Sequence, residues 1–260
     1  MFPAQRLEKI RSILSVNKSI DISSLSEILG VSEVTVRKDL ERLEKGGFLV
    51  KYHGGAMVKG HGEILASFLK SIKDLETPEL TAKLELGKLA ASVVEDGDNI
   101  FIGSGSTCAI FARMIGSSGI RVVTNSIDVA ASMYHRANSV FLLGGVLSQS
   151  GEFLYSSGDA LLEFMKGIFV EKAFFSVDGI DLNAGFTVNE FSRVTLMRQL
   201  KVVSKNLIIL ADSTKFNKIA IHQVGALDFA DCVVTNRQAD EKYKEIFFKK
   251  NIRFLTAFDF

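Results

Sequence analysis

The sequence predicts an α/β fold in two parts: an N-terminal winged helix-turn-helix domain over 1–58, a linker over 59–80, and a doubly wound α/β domain over 81–260. Three observations predict it. Three helical stripes with readable caps come first, a glycine-containing hairpin pattern follows, and beyond residue 80 short apolar strands alternate with amphipathic helices.

The stretch "PAQRLEKIRSILS" places Leu7, Ile10 and Ile13 or Leu14 on one stripe, predicting a helix from about Pro3 to about Ser15. Its proline stands in the first turn, where a missing N–H costs nothing. "SSLSEILG" predicts a short second helix with Ser24 as N-cap, Glu27 completing a capping box and Gly30 as left-handed C-cap. "VSEVTVRKDLERLEKGG" predicts a third, capped by Ser32 and ended by Gly46 and Gly47. Its buried stripe is Val36, Leu40 and Leu43, which leaves Thr35, Arg37, Lys38 and Arg42 off the core.

A short helix, a glycine turn and a second helix with basic and hydroxyl side chains near its start form a helix-turn-helix, whose second helix presents its first turns to base edges in the major groove. "FLVKYHGGAMV" then reads as a hairpin wing turning at Gly54 and Gly55, with Lys51 and His53 near its tip. Arg37 and Lys38 have the reach and chemistry for guanine O6/N7 or phosphate, whereas Ser23, Ser24 and Lys51 suit positioning on phosphates. His53 has two readings, a DNA contact or a side chain that orients the turn. Residues 1–60 hold ten Lys and Arg against seven Asp and Glu, a mild basic excess over a remainder of net −2.

The run "LGVSEVTVRKDLERLEKGGFLVKYHGGA" closely resembles the N-terminal signature of the DeoR family of bacterial transcriptional regulators. The resemblance implies that Ser32, Thr35, Arg37 and Lys38 lie on double-stranded operator DNA and that Lys51 and His53 are wing contacts.

In the second part "NIFIG", "IRVVT", "SVFLLGG", "KAFFSVDGI", "NLIILAD", "CVVTN" and "IRFLT" read as strands, with helices between most of them. The pattern loosens through "VLSQSGEFLYSSGDALLEFMKG". Such alternation implies parallel pairing with helices on both faces, and ligands in such sheets bind outside the carboxyl ends of the strands. The residues to collect there are Gly103, Ser104, Gly105, Ser106 and Thr107; Thr124, Asn125 and Ser126; Gly144 and Gly145; Asp178 with Asp181; Asp212 with Lys215; and Thr235 with Asn236. Any one of them could be a turn residue chosen for backbone shape.

"IGSGST" puts free amides and hydroxyls at a helix N-terminus, which favours an anion. With Lys215 for charge and Asp178, Asp212 and Asn125 for hydroxyls, the set suits a phosphorylated sugar or polyol. It is neither a Walker loop nor a dinucleotide fingerprint, because no Gly-Lys-Ser/Thr occurs there and Thr124-Asn125-Ser126 stands where an acid would be needed.

The order "GSGST", "VVTNS", "LLGG", "DGI", "GFT" and "ADSTKF" resembles the DeoR-family effector domain, whose fold is similar to ribose-5-phosphate isomerase and the CoA transferases. The resemblance implies a sugar-phosphate effector on 103–107, Thr124-Asn125-Ser126 and Lys215. Many members carry an aspartate where this chain has Gly103.

Two functions are thereby weighed: a repressor of a sugar-utilisation operon, and an isomerase-like enzyme with an accessory DNA-binding domain, with Asp178 and Asp181 as a carboxylate pair. "LNAGFTVNEF" lacks the isomerase's lysine loop and offers only Glu190 as a base, which favours the sensor. No cofactor or metal is expected, since Cys108 and Cys232 share no ligand spacing. With 47% hydrophobic and 23% charged residues and no run long enough to span a bilayer, the chain reads as cytoplasmic, with no membrane partner. One winged helix buries a small interface, so a homo-oligomer, dimer or tetramer, is expected on paired half-sites.

Overall fold

The computed structural model describes residues 3–17, 19–52, 55–58, 78–151, 153–236 and 241–256. The expected wing-tip contact at His53, the turn residue Gly54 and the linker positions 59–77 lie outside the described residues. The chain divides into two compact units, Met1–Glu76 and Thr77–Phe260.

The first unit contains α1 (Pro3–Asn17), β1 (Ser19–Asp21), α2 (Ile22–Leu29), α3 (Glu33–Lys45), β2 (Leu49–Tyr52) and β3 (Gly55–Val58). Ile10 and Leu14 of α1, Leu25 and Leu29 of α2, and Val36, Leu40 and Leu43 of α3 meet in one core with Leu49 and Ala56 of the wing. A buried ion pair between Arg6 and Asp39 ties α1 to α3 across that core.

Two local expectations are corrected. The N-cap of α2 is Asp21 and not Ser24: the Asp21 carboxylate accepts from the Ser24 amide at 2.7 Å and from the hydroxyls of Ser23 (2.6 Å) and Ser24 (2.8 Å). A carboxylate at the positive end of a helix outcompetes a hydroxyl, and the helix starts earlier to use it. Gly55 is not a turn residue, because it begins β3 and pairs with Tyr52 on one side and Asp21 on the other. The strand β1 that makes this a three-stranded sheet was not expected from "SID". Ser32 does cap α3, accepting from the Thr35 amide at 3.4 Å, and Gly30 closes α2 at φ +64°.

The second unit contains α4 (Pro78–Ala91), β4 (Asn99–Ile102), α5 (Ser106–Met114), β5 (Arg121–Thr124), α6 (Ile127–Met133), β6 (Ser139–Leu142), β7 (Val146–Ser150), β8 (Phe153–Ser157), α7 (Asp159–Phe164) and β9 (Val170–Ser176). It continues with β10 (Gly179–Asp181), β11 (Gly185–Val188), α8 (Phe191–Val203), β12 (Ser204–Leu210), β13 (His222–Gly225), β14 (Cys232–Thr235), α9 (Glu241–Lys249) and β15 (Arg253–Thr256). A parallel seven-stranded sheet runs β15-β14-β12-β9-β4-β5-β6. Alternate residues of one strand feed opposite cores: Phe101, Phe175 and Ile209 pack with α8 and α9, while Ile102, Phe174 and Ile208 pack with α4, α5 and α6. That is the doubly wound arrangement expected from the apolar strands.

The described residues of the loosened stretch contain regular structure. "VLSQSGEFLYSSG" makes the antiparallel pair β7–β8, and β10, β11 and β13 form a second small antiparallel sheet. Their short polar alternation gives little apolar periodicity to read.

The capping correction carries a test. Asp21→Ala should destabilise the first unit by about 1 kcal/mol, the usual worth of an N-cap. Ser24→Ala should cost only a few tenths, both read from chemical unfolding of the full chain. The hydroxyls of Ser23 and Ser24 and the Ser24 amide hold the Asp21 carboxyl down to about 2. Its contribution is therefore complete above the ordinary carboxylate range and fades as pH falls toward about 2.

Candidate ligand cavity and DNA-facing helix

Winding turns outward from the adjacent central strands β4 and β9: β5 and β6 lie beyond one, β12, β14 and β15 beyond the other. The crevice above such a switch point is where an open sheet leaves room for a ligand. A cavity of about 270 Å³ lies there, and its walls include Ser104, Gly105, Ser106 and Thr107 after β4, Asp178 after β9, and Lys215 after β12.

Gly105 precedes α5 at φ +100°, a conformation that glycine adopts without strain, and its carbonyl accepts the amide of Ala109. The amides ahead of Ala109 have no acceptor within the helix, and Ser106 and Thr107 at this positive helix end line the cavity. Ser104 and Thr107 are buried beside them.

The cavity wall also includes Glu190, which the sequence offered only as a possible base, and three residues it did not mark: Lys83 of α4, Tyr155 of β8 and Arg193. Arg193 reaches back from α8. Its Nη1 donates to Asp178 at 2.8 Å, its Nη2 donates to the Ser176 carbonyl at 2.6 Å, and its guanidinium lies 5.3 Å from the Phe175 ring centroid. The Tyr155 hydroxyl donates to Glu190, and burial, then that carboxylate, pushes the phenol up to about 12, so it stays a donor. Nothing in the local sequence around Lys83 or Arg193 marks them, since each is one of several cations on an ordinary amphipathic helix.

The other collected strand-end residues are absent from this cavity's wall and make contacts within the fold. Gly103 donates its amide to the Phe174 carbonyl at 2.9 Å and is absent from the cavity wall. A Cβ on it would stand 2.6 Å from Phe175 Cδ2. An aspartate there is therefore incompatible with this placement of Phe175. Thr124 donates to the Ile102 carbonyl at 2.6 Å and accepts the Ser126 amide at 3.0 Å, and Ser126 caps α6. Asn125 donates to the Ser156 carbonyl at 3.0 Å. Gly144 abuts the Phe164 ring, and a Cβ on Gly145 would meet the Ser157 carbonyl at 2.4 Å. Asp212 caps the turn at Ser213–Lys215 by accepting from the Thr214 amide, and Asn236 accepts the Ser213 amide at 2.7 Å.

Asp178 and Asp181 do not act as a pair. Asp181 accepts the amides of Asn183 and Ala184 in the β10–β11 turn, bonds that hold its carboxyl below the usual range, while Asp178 is matched to Arg193. Among the described residues no group of His, Cys, Asp or Glu is arranged to hold a metal ion.

On α3, Arg37, Lys38 and Arg42 are exposed and Thr35 is half-buried. Arg37 pairs with Glu33 at 3.1 Å on the open surface, a contact weak enough to be exchanged for phosphate or base. The exposed Val34 adds an apolar group to the same first turn. Lys51 pairs with Glu41 at 3.5 Å and Glu44 at 3.3 Å, and the hydroxyls of Ser23 and Ser24 donate to Asp21.

Residues 6–60 match the DeoR-like helix-turn-helix domain and residues 79–237 match the DeoR C terminal sensor domain. The chain belongs to the DeoR family of transcriptional regulators. The lactose phosphotransferase system repressor of Lactococcus lactis subsp. lactis is 32% identical, covering 94% of each chain. The HTH-type transcriptional repressor GlcR of Bacillus subtilis (strain 168) is 27% identical over 99% of this chain and 97% of its own. Among solved structures, ribose 5-phosphate isomerase A of Methanocaldococcus jannaschii matches 52% of this chain and 53% of its own at 17% identity and a TM-score of 0.36, too low to bear on activity. This DeoR-family protein is a DNA-binding transcriptional regulator with a sensor domain, and not an enzyme. No helix among the described residues is long and apolar enough to cross a membrane.

Gly103 yields a prediction for this DeoR-family sensor. Gly103→Ala should destabilise the sensor unit by about 1–3 kcal/mol through overpacking. In a Phe175→Leu background the same substitution should cost less, a non-additivity measurable by urea unfolding of the four proteins.

Proposed function

We propose that this regulator represses a sugar-utilisation operon and that a phosphorylated sugar, bound above β4 and β9, lowers its affinity for operator DNA. The observation that carries this reading is the convergence of the α5 N-terminus with Lys83, Arg193 and Lys215 on one cavity. Among the described residues Lys83 and Lys215 have no carboxylate partner, so their charge is available to an anion, whereas Arg193 is held by Asp178. The phosphate would sit on 104–107 and Lys215, with Asp178 and Glu190 facing the sugar hydroxyls. A relative named for the lactose phosphotransferase system supports a sugar-linked role.

Residues 1–58 would carry DNA recognition, 59–80 the connection, and 81–260 sensing and assembly. Arg37 and Lys38, with Thr35, Ser32 and Arg42, are the proposed operator contacts. A ligand shifts operator affinity only as far as it binds the two states of the regulator differently.

In fluorescence anisotropy at fixed salt on a DNA site selected with the purified protein, Arg37→Ala should weaken specific binding about 10–100-fold, the worth of one good base contact. Lys215→Ala should keep DNA affinity and lose the response to sugar phosphate. An unchanged operator affinity for the first variant, or an unchanged response in the second, removes the corresponding assignment.

Paired half-sites call for two or more copies. The free edge strand β6 exposes Phe141 and Leu142, and the following Val146 and Leu147 are exposed as well. An apolar rim on an open sheet edge suits a second copy of the chain. Light scattering should give a dimer or tetramer that Leu147→Glu weakens; a monomer that still binds the selected site tightly would overturn this.

A further inference from the structure

We infer that the sensor unit has a second ligand compartment beside the phosphate cavity, and that it takes a second ring joined to the phosphorylated sugar. The effector is then a glycoside phosphate and not a free sugar phosphate. This inference rests on the phosphate reading of the main cavity.

The compartment is a cavity of about 240 Å³ between β8, α7 and the start of α8. Tyr155 and Arg193 line both it and the main cavity, so the two share a wall. Each alone is smaller than the roughly 300 Å³ at which small-molecule sites begin, and the two together fall within the usual range. A free hexose phosphate would leave this half of the space to water.

The wall chemistry favours a ring. Tyr155, Phe191, Leu162 and Leu196 supply apolar and aromatic surface, the kind that covers an aryl ring or the C–H face of a pyranose. Two polar atoms of lining residues are buried without a partner: Asn125 Oδ1, on a residue only 2% exposed, and Arg193 Nε. Buried polar groups are nearly always matched, and both atoms belong to residues of this wall, so each is a candidate for a ligand contact once its side chain turns toward the space. One hydroxyl donating to Asn125 and one oxygen accepting from Arg193 Nε would satisfy both. Ser157, Asp159, Ser192 and Thr195 add polar groups to the same wall.

The guanidinium of Arg193 couples the halves. Its Nη atoms are committed to Asp178 and Ser176 at the main cavity, while Nε remains for the second ring. A two-part ligand thus bridges the end of β9 and the start of α8 through one side chain.

Calorimetry on the full-length protein tests this with glucose and galactose 6-phosphates, the same sugars carrying a 4-hydroxyphenyl group at C1, and the corresponding 6-phosphorylated disaccharides. At least one substituted ligand should bind about tenfold tighter than its parent, the gain from one or two hydrogen bonds plus ring burial. Thr195→Phe, which fills the exposed rim of the second compartment, should remove that gain and keep the parent's affinity. Asn125→Leu should reduce the gain for ligands with a ring hydroxyl; Ser192→Phe replaces the rim variant if Thr195→Phe melts early. The aryl and disaccharide arms identify which kind of ring is taken. Parents that bind while every substituted ligand binds no tighter, or a gain that survives both rim fillings, overturn the inference. If neither parent, substituted ligand nor inorganic phosphate binds and Lys215→Ala changes nothing, the phosphate reading itself fails and this inference falls with it.

Discussion

The Phe175 ring is the constraint around which the sensor's ligand end is built. On one side it presses so closely on the residue after β4 that a Cβ at position 103 would force the ring to move. Toward the cavity its ring lies near the Arg193 guanidinium, which Asp178 and the Ser176 carbonyl hold in place. A cation beside an aromatic ring and paired with a carboxylate loses little freedom when a ligand arrives, so the site is preorganised. Substituting residue 103 therefore reaches the ligand cavity through the ring rather than through any contact of its own.

Strand order divides the labour among residues that look alike in the sequence. Small and polar residues stand at almost every carboxyl strand end, yet of the parallel sheet's strands those after β4, β9 and β12 line the main cavity. Thr124 and Ser126 pin β5 to β4 and cap α6, Asp212 caps a turn, and Gly145 makes room for the Ser157 carbonyl. Each satisfies buried backbone groups that would otherwise be costly to leave unpaired.

The same economy governs the winged helix. Ser23, Ser24 and Lys51 are drawn into caps and ion pairs that hold the unit together. What remains on the surface of α3 is Arg37, Lys38 and Arg42, with only one loose surface pair among them. Exposed cations on a rigid, capped helix are available to a phosphate backbone at little desolvation cost.

The sequence by itself determined the two-part architecture, the seven parallel strands, the helix-turn-helix with its Ser32 and Gly30 caps, and the glycine-serine loop at the start of α5. These are local properties, written in periodicities of two and 3.6 and in the few residues that end a helix. The Asp21 cap was open to the same reasoning, since an acid just ahead of a helical stripe is a signal for it. The β7–β8 hairpin gave no such signal, being short, polar and half-exposed. Only the tertiary structure decided which strands lie at the centre of the sheet, and hence which of many similar loops forms the cavity. It also decided that Lys83, Tyr155, and the pair Glu190 and Arg193, from three separate places in the chain, line one cavity. Pairing between distant segments depends on the packing of the whole sheet, and no local pattern around those residues encodes it.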